Sequence, residues 1–233
     1  MWYNHLRIVI CILLLFQYVS VSGDITAHVG LQVDGSGFHR NFTYRIGLDN
    51  LIWKDCYASL HFVLPSALYV NINELAELRR IDKTTVCSVG ETDTELFMEN
   101  ANSQNVTLCS RIDDGSCVMS LPIHQRYQYP KENGDYENVV LEKPSLLLGC
   151  KQRIREYRIS KINLCPLCAG MMVKWRELPY ASDQIDYVWT IPIGNVSFFS
   201  YVTYITLTTT IVGTVFIMNT IWTSTIKERL KEN

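Results

Sequence analysis

The sequence predicts a mainly β, sandwich-like extracytoplasmic domain with one short helix, carried by a single C-terminal transmembrane helix. Three observations predict it. Residues 198–222 (FFSYVTYITLTTTIVGTVFIMNTIW) contain no charge, and a run of that length suffices for an α-helix to cross about 30 Å of hydrocarbon. Between residues 25 and 192 the chain breaks into many short runs of alternating apolar and polar residues, joined by Asn, Asp, Gly and Pro, the pattern of strands and turns. A secretory leader at the N-terminus places the remaining cysteines where disulfides persist.

The two ends set the topology. Arg7 and the apolar run at 8–16 (IVICILLLF), with Ser20 and Ser22 ahead of Gly23, read as a signal peptide over 1–22; an uncleaved signal anchor is the competing reading. Lys227, Arg229 and Lys231 follow the uncharged run, whereas no basic residue lies between Arg176 and its start, so the C-terminus faces the cytoplasm. The resulting plan is a signal peptide at 1–22, a β-rich domain at 23–196, a transmembrane helix at 197–222 and a cytoplasmic tail at 223–233. The ending KERLKEN is too polar for a GPI-attachment signal. Lys plus Arg (21) nearly balances Asp plus Glu (23), and with no basic run outside the tail the composition argues against nucleic acid as a partner.

Each element has a local reason. Residues 25–33 read as a first strand, followed by the turn Asp34-Gly35-Ser36-Gly37, whose glycines allow positive φ. In 41–48, Phe42, Tyr44, Ile46 and Leu48 alternate with Thr43, Arg45 and Gly47, as in a half-buried strand. In 56–64, Ala58, Leu60, Phe62 and Leu64 share one face, and Pro65 ends the strand. Asn71 is placed to cap a short helix ending near Arg80, with Glu74 as its third residue and Leu75 and Leu78 on the buried side; Glu74, Glu77, Arg79 and Arg80 form its solvated face. Further strands are expected at 84–89, 95–98, 106–112, 117–121, 126–129, 138–141, 145–150 and 187–192, and 151–184 gives no clear pattern. Many short strands and one helix argue for a sandwich or a related all-β domain.

Chemistry-bearing patterns are few. With Cys11 in the leader, Cys56, Cys87, Cys109, Cys117, Cys150, Cys165 and Cys168 are the disulfide candidates. Seven cannot all pair, and their connectivity is open. Cys165-Pro166-Leu167-Cys168 has CxxC spacing, which would suit a thiol oxidoreductase or half a zinc site. It lacks a second CxxC, a nearby His and a βαβ context, so ordinary disulfide partners are the default. His28, His39, His61 and His124 show no metal spacing and read as structural residues. No phosphate loop, dinucleotide fingerprint or nucleophile signature is present. The chain therefore reads as a binding or scaffolding protein without catalytic residues, cofactor or metal, with a cell-surface receptor or adhesion protein as the alternative.

One set of residues resembles a family. Asp34 with Gly37-Phe38-His39-Arg40, Leu64-Pro65 with Leu68-Tyr69-Val70, and Glu74-Leu75 with Leu78-Arg79 recur in that order in the PIG-X family. So do Leu121-Pro122 with His124, Arg126-Tyr127 and Pro130, then Pro144 with Leu147 and Cys150, and Ile191-Pro192-Ile193-Gly194 before the anchor. The resemblance implies a non-catalytic accessory subunit of the endoplasmic reticulum membrane, type I with a lumenal N-terminus. Its implied partner is a PIG-M-like multispanning mannosyltransferase, which adds the first mannose in GPI-anchor biosynthesis. The resemblance fades over 151–184, so the CxxC inherits no role. The tail end RLKEN is similar to basic retrieval signals, with Arg in place of the first Lys; alternatively its charges only set topology.

Within the anchor, Thr203, Thr206, Thr210, Gly213, Ile217 and Thr220 recur at spacings of three and four, one helical stripe suited to close packing on that partner. The competing reading has each hydroxyl bonded to its own preceding turn and facing lipid. Asn41-Phe42-Thr43 and Asn105-Val106-Thr107 are glycosylation sequons within the domain, which would make the chain a glycoprotein. Asn195-Val196-Ser197 abuts the membrane entry, too close for a transferase active site that stands off the bilayer. Glycosidase digestion of Asn→Gln variants should accordingly show Asn41 and Asn105 occupied; a mobility shift from Asn195→Gln alone would contradict this.

Overall fold

The computed structural model describes residues 24–81, 84–132, 134–183 and 186–229. The expected signal peptide and tail residues 230–233 lie outside the described residues. In chain order the elements are β1 (Thr26–Asp34), β2 (His39–Asp49), β3 (Cys56–Leu64), β4 (Leu68–Tyr69), α1 (Ile72–Ile81), β5 (Thr85–Gly90), β6 (Gln104–Arg111), β7 (Ser116–Gln125), β8 (Tyr136–Leu141) and β9 (Ser145–Cys150). There follow α2 (Pro166–Ala169), β10 (Arg176–Glu177), β11 (Ala181–Ser182), β12 (Tyr187–Pro192) and α3 (Phe199–Arg229).

Alternation builds the first sheet, ordered β11-β1-β2-β7-β4. The β1–β2 hairpin turns through Gly35 at φ +94° and Gly37 at φ +74°, a region that glycine enters without the Cβ clash of other residues. Phe42, Tyr44, Ile46 and Leu48 of β2 are buried. The second sheet, β10-β9-β3-β6-β5, packs against this face. Leu60 and Phe62 of β3, Leu108 of β6 and Leu148 of β9 share one core with the β2 residues, and Tyr44 and Phe62 meet with ring centroids 5.3 Å apart.

A two-stranded ribbon, β12-β8, adds Trp189, Ile191, Val139 and Leu141 to that core. Trp189 is fully buried. Its Nε1 donates to Gln125 Oε1 at 2.9 Å, and the Arg40 guanidinium lies 4.2 Å from its ring centroid.

The fold is thus mainly β, with a long C-terminal helix. Asn71 Oδ1 accepts the Asn73 N–H at 2.9 Å and caps α1, whose Leu75 is buried. Two expected strands are not formed. Residues 95–97 lead into a 3₁₀ turn at Met98–Asn100. Residues 126–129 run without a ladder because loops take their polar groups: the Arg126 N–H goes to the Ala67 carbonyl at 2.8 Å, and the Tyr127 carbonyl accepts from the Met98 N–H at 2.9 Å. Conversely β7 continues past the expected 117–121, through Pro122 to Gln125. β4 pairs with it only at His124 and Gln125, so beside Pro122 that edge of β7 is open, a place where proline is tolerated.

Residues 151–183 cover the outer face of the second sheet. Of these, Cys165, Cys168 and Trp175 pack with Cys109 and Leu147 in a cluster of their own, and the segment adds a second short helix, α2, to the one expected. Ser59, Thr107, Cys109 and Leu147, which alternation alone would turn to solvent, are at most 1% exposed.

Three disulfides hold this arrangement. Cys56–Cys150 joins directly opposed residues of β3 and β9, while Cys87–Cys165 and Cys109–Cys168 fasten the segment to β5 and β6. Cys117, a disulfide candidate by composition, departs from that expectation: it is buried in β7 with no partner among the described residues. Burial, reinforced by Asp113, pushes its thiol up to about 12, which makes it a packing residue rather than a nucleophile.

A 3₁₀ turn at Val196–Phe198 leads into α3. Together they give one apolar helical run, Val196–Thr225, long enough to cross a membrane, with none of its most apolar stretch buried by the rest of the chain. The helix continues beyond residue 222 to Arg229. Removing the second staple with Cys109→Ser and Cys168→Ser should lower stability by about 2–5 kcal/mol in guanidinium unfolding. Trypsin should then cut within 151–174 before it cuts elsewhere; an unchanged cleavage order would contradict the covering role of this segment.

Candidate functional site

Strand register gathers residues at the end of the sandwich next to α3. The β1–β2 turn delivers His39 as the first residue of β2, where it pairs with His124 of β7; on the other side of β7, Tyr69 of β4 pairs with the same His124. The three side chains form a row across the outer face of the first sheet, since the residues in phase with Phe42 on β2 and Leu121 on β7 point into the core. His39 Nδ1 lies 3.3 Å from His124 Nε2, and the rings meet edge-on with centroids 4.5 Å apart. Tyr69 stacks on His124 at 5.2 Å. The first turn of α1 brings in Glu74, whose Oε2 is 2.7 Å from His124 Nε2. Glu74 is therefore not part of a freely solvated helix face.

Arg126 lies just beyond this row, 2% exposed. Its guanidinium sits 4.7 Å from the Tyr69 ring centroid. Nη1 donates to the carbonyls of Asp93 at 2.7 Å and Leu96 at 3.1 Å, pinning the loop that connects β5 to β6. Burial lowers the Arg126 pKa, partly offset by Glu91, Tyr69 and Asp93. Against that loop four exposed aromatic side chains meet: Phe38 and Tyr127 at 5.0 Å, Phe97 and Tyr127 at 6.4 Å, and Phe97 and Tyr129 at 4.8 Å. Such a contiguous exposed patch is the usual mark of a contact surface.

The patch runs to the base of α3. Lys131, two residues after Tyr129, donates its N–H to the Gly194 carbonyl at 2.9 Å and accepts the Val196 N–H at 3.0 Å. Gly134 and Gly194 make this junction possible, because a side chain on Gly134 would run into the Gly194 carbonyl.

The sequence motifs that carry the family resemblance meet at this end: the Gly37 to Arg40 turn, Tyr69, Glu74, His124, Arg126, Tyr127, Pro130 and the Ile191 to Gly194 run. Pro144, Leu147 and Cys150 lie elsewhere, on and beside β9. Sequence reasoning kept His39 and His124 apart and left Glu74 in solvent. Their phase on the outer face was legible, but the register that joins them was not.

Other candidate residues stand separately. Asn41 is half-buried on the outer face of β2 and Asn105 is exposed on β6, while Asn195 Oδ1 already accepts the Ser197 N–H at 2.8 Å. Cys165 and Cys168 are bonded to different strands rather than to each other. His28 faces Asp49 at 3.9 Å. His61 lies 3.4 Å from the Thr107 hydroxyl, with its pKa lowered by burial. On α3 the hydroxyls of Thr203, Thr206, Thr210 and Thr220 each donate to the carbonyl four residues earlier, at 2.7–2.9 Å. Their hydrogen bonds are thus met within the helix, leaving the stripe only its small size to offer a neighbour.

Comparison with known proteins gives a family match over this same span. A family model described as PIG-X / PBN1 matches residues 35–222, from the β1–β2 turn into α3. A Rattus norvegicus protein named "GPI alpha-1,4-mannosyltransferase I, stabilizing subunit" is 25% identical over 193 residues, covering 78% of this chain and 76% of that protein. A Homo sapiens protein of the same name is 26% identical over 193 residues, covering 78% and 74% respectively.

Proposed function

Because this chain belongs to the PIG-X / PBN1 family, we propose that it is the non-catalytic, stabilising subunit of the mannosyltransferase that adds the first mannose in GPI-anchor biosynthesis. It resides in the endoplasmic reticulum membrane with its β domain in the lumen and its C-terminus in the cytoplasm. The partner is a PIG-M-like multispanning enzyme, which carries the catalytic groups. The observation that carries this reading is the extent of the family match, which includes both the sandwich and most of α3, in a chain whose relatives bear the stabilising subunit's name.

The geometry supports a division of labour within that role. The aromatic patch of Phe38, Phe97, Tyr127 and Tyr129 lies beside the base of the anchor, where a multispanning neighbour presents its lumenal loops. Aromatic residues are enriched at protein interfaces. The stripe of Thr203, Thr206, Thr210 and Gly213 lets a neighbouring helix approach closely within the bilayer.

Depleting the chain should reduce both the abundance of the mannosyltransferase and surface GPI-anchored proteins, read by immunoblot and flow cytometry; normal levels of both would overturn the role. For the stripe, changing Thr206, Thr210 and Gly213 to Leu should lower co-purification of the enzyme without unfolding the β domain. Changing Val202, Leu207 and Val215 to Thr should not. Equal recovery from both sets would remove the stripe, and full recovery with a foreign transmembrane helix would put all binding in the β domain.

A further inference from the structure

We propose that His39, Glu74 and His124 bind one divalent ion of the zinc class, a site that the stabilising role neither includes nor requires. The three residues come from β2, α1 and β7, and their donor atoms all lie within 4.8 Å of one another. Around a tetrahedral ion with bonds of about 2.0–2.1 Å, neighbouring donors stand about 3.3 Å apart. His39 Nδ1 lies 3.3 Å from His124 Nε2 and 3.4 Å from His124 Nδ1, so the exposed His39 ring has to swing toward the Nε2 side to share the ion. Glu74 Oε2, at 2.7 Å from His124 Nε2, needs to withdraw by only about half an ångström, a small rotation for a carboxylate that is 33% exposed.

The surroundings favour a cation between these groups. Among the described residues, the His39 ring has no hydrogen-bond partner other than His124, so its Nδ1 and the Glu74 carboxylate both approach the one nitrogen His124 Nε2. A metal ion resolves that competition by taking a lone pair from each ring. The elements that carry the donors are held in place: ladder pairing sets His39 opposite His124, Tyr69 stacks on His124, and Asn71 caps the first turn of α1 that carries Glu74. Two imidazoles and one carboxylate suit zinc better than magnesium or calcium, which prefer oxygen donors throughout. His39 is exposed, leaving the fourth position open to water. The bound ion ties α1 to the first sheet beside the aromatic patch.

The test uses the full chain in detergent, stripped of metal and titrated with Zn²⁺ by calorimetry, with Co²⁺ absorption as a readout of coordination geometry. One Zn²⁺ per chain, a tetrahedral Co²⁺ spectrum and a higher melting temperature with Zn²⁺ are expected. His39→Ala and Glu74→Gln should each weaken Zn²⁺ binding at least about tenfold, and His39→Ala, at an exposed position, should leave the metal-free melting temperature in place. His28→Ala, at the far end of the first sheet, should bind as the parent chain does. Absence of Zn²⁺ binding by the parent chain, or equal affinity in the His39→Ala and Glu74→Gln chains, would overturn the site. Neither outcome bears on the subunit's effect on mannosyltransferase abundance.

Discussion

A β-sheet with apolar side chains on both faces needs two covers, and in this domain only one of them is another sheet. The first sheet covers one face of the second through Tyr44, Phe62 and their neighbours. The other face, with Cys109 and Leu147 at its centre, is covered by residues 151–183, which among the described residues form one helical turn and two strands of two residues each. Fixing backbone costs about 1–2 kcal/mol per residue, and a segment with so few ladder bonds recovers little of that. Cross-linking removes much of the freedom the segment would have in the unfolded chain. The CxxC spacing follows from this geometry: its two cysteines stand one helical turn apart on the same side and reach adjacent strands, β5 and β6.

The opposite design holds at the end beside α3, where no disulfide occurs among the described residues. Order there comes from polar groups placed in apolar surroundings. Arg126 holds the β5–β6 loop by its carbonyls, Gln104 Oε1 accepts the Val70 N–H at 2.9 Å, and Arg40 lies against Trp189. Buried polar groups favour the arrangement in which they reach their partners, although Arg126 Nε and Nη2 and Arg40 Nε are buried without one among the described residues. An end built this way presents Phe38, Phe97, Tyr127 and Tyr129 as a fixed surface rather than as mobile loops, and fixed surfaces lose less entropy on binding.

Local pattern and long-range register differ sharply in how legible they were. β3, β9 and β12 have the bounds that alternation and punctuation gave, and α1 carries the cap that Asn71 announces. Residues 126–129 look like a strand because Arg126 to Tyr129 alternate, yet their hydrogen bonds go to loops distant in sequence. Segment 151–184 had no period to read, since disulfides rather than repeating burial hold it. The His39, Glu74 and His124 cluster was invisible for a related reason: each residue is ordinary in its own strand or helix. Only the pairing of β2 with β7 and the placement of α1 bring them together. Family resemblance, which had marked all three residues, was the one signal in the sequence that pointed to this end.

The link between β12 and α3 has a mechanical consequence. From Trp189 in the core, the chain passes through Pro192, the Gly194 and Val196 bonds to Lys131, the Asn195 cap and one 3₁₀ turn before α3 begins, with no stretch of slack. A domain on a loose tether would tumble, and most of its encounters with a neighbour in the same bilayer would be misdirected. Here the sandwich is mounted more like a key on its shaft. In the proposed role, a mount that restricts tilt would reduce recognition of a membrane neighbour largely to a search over lateral position and spin about the bilayer normal. Much of the orientational entropy of docking would then be surrendered when the chain folds and inserts, before any encounter takes place.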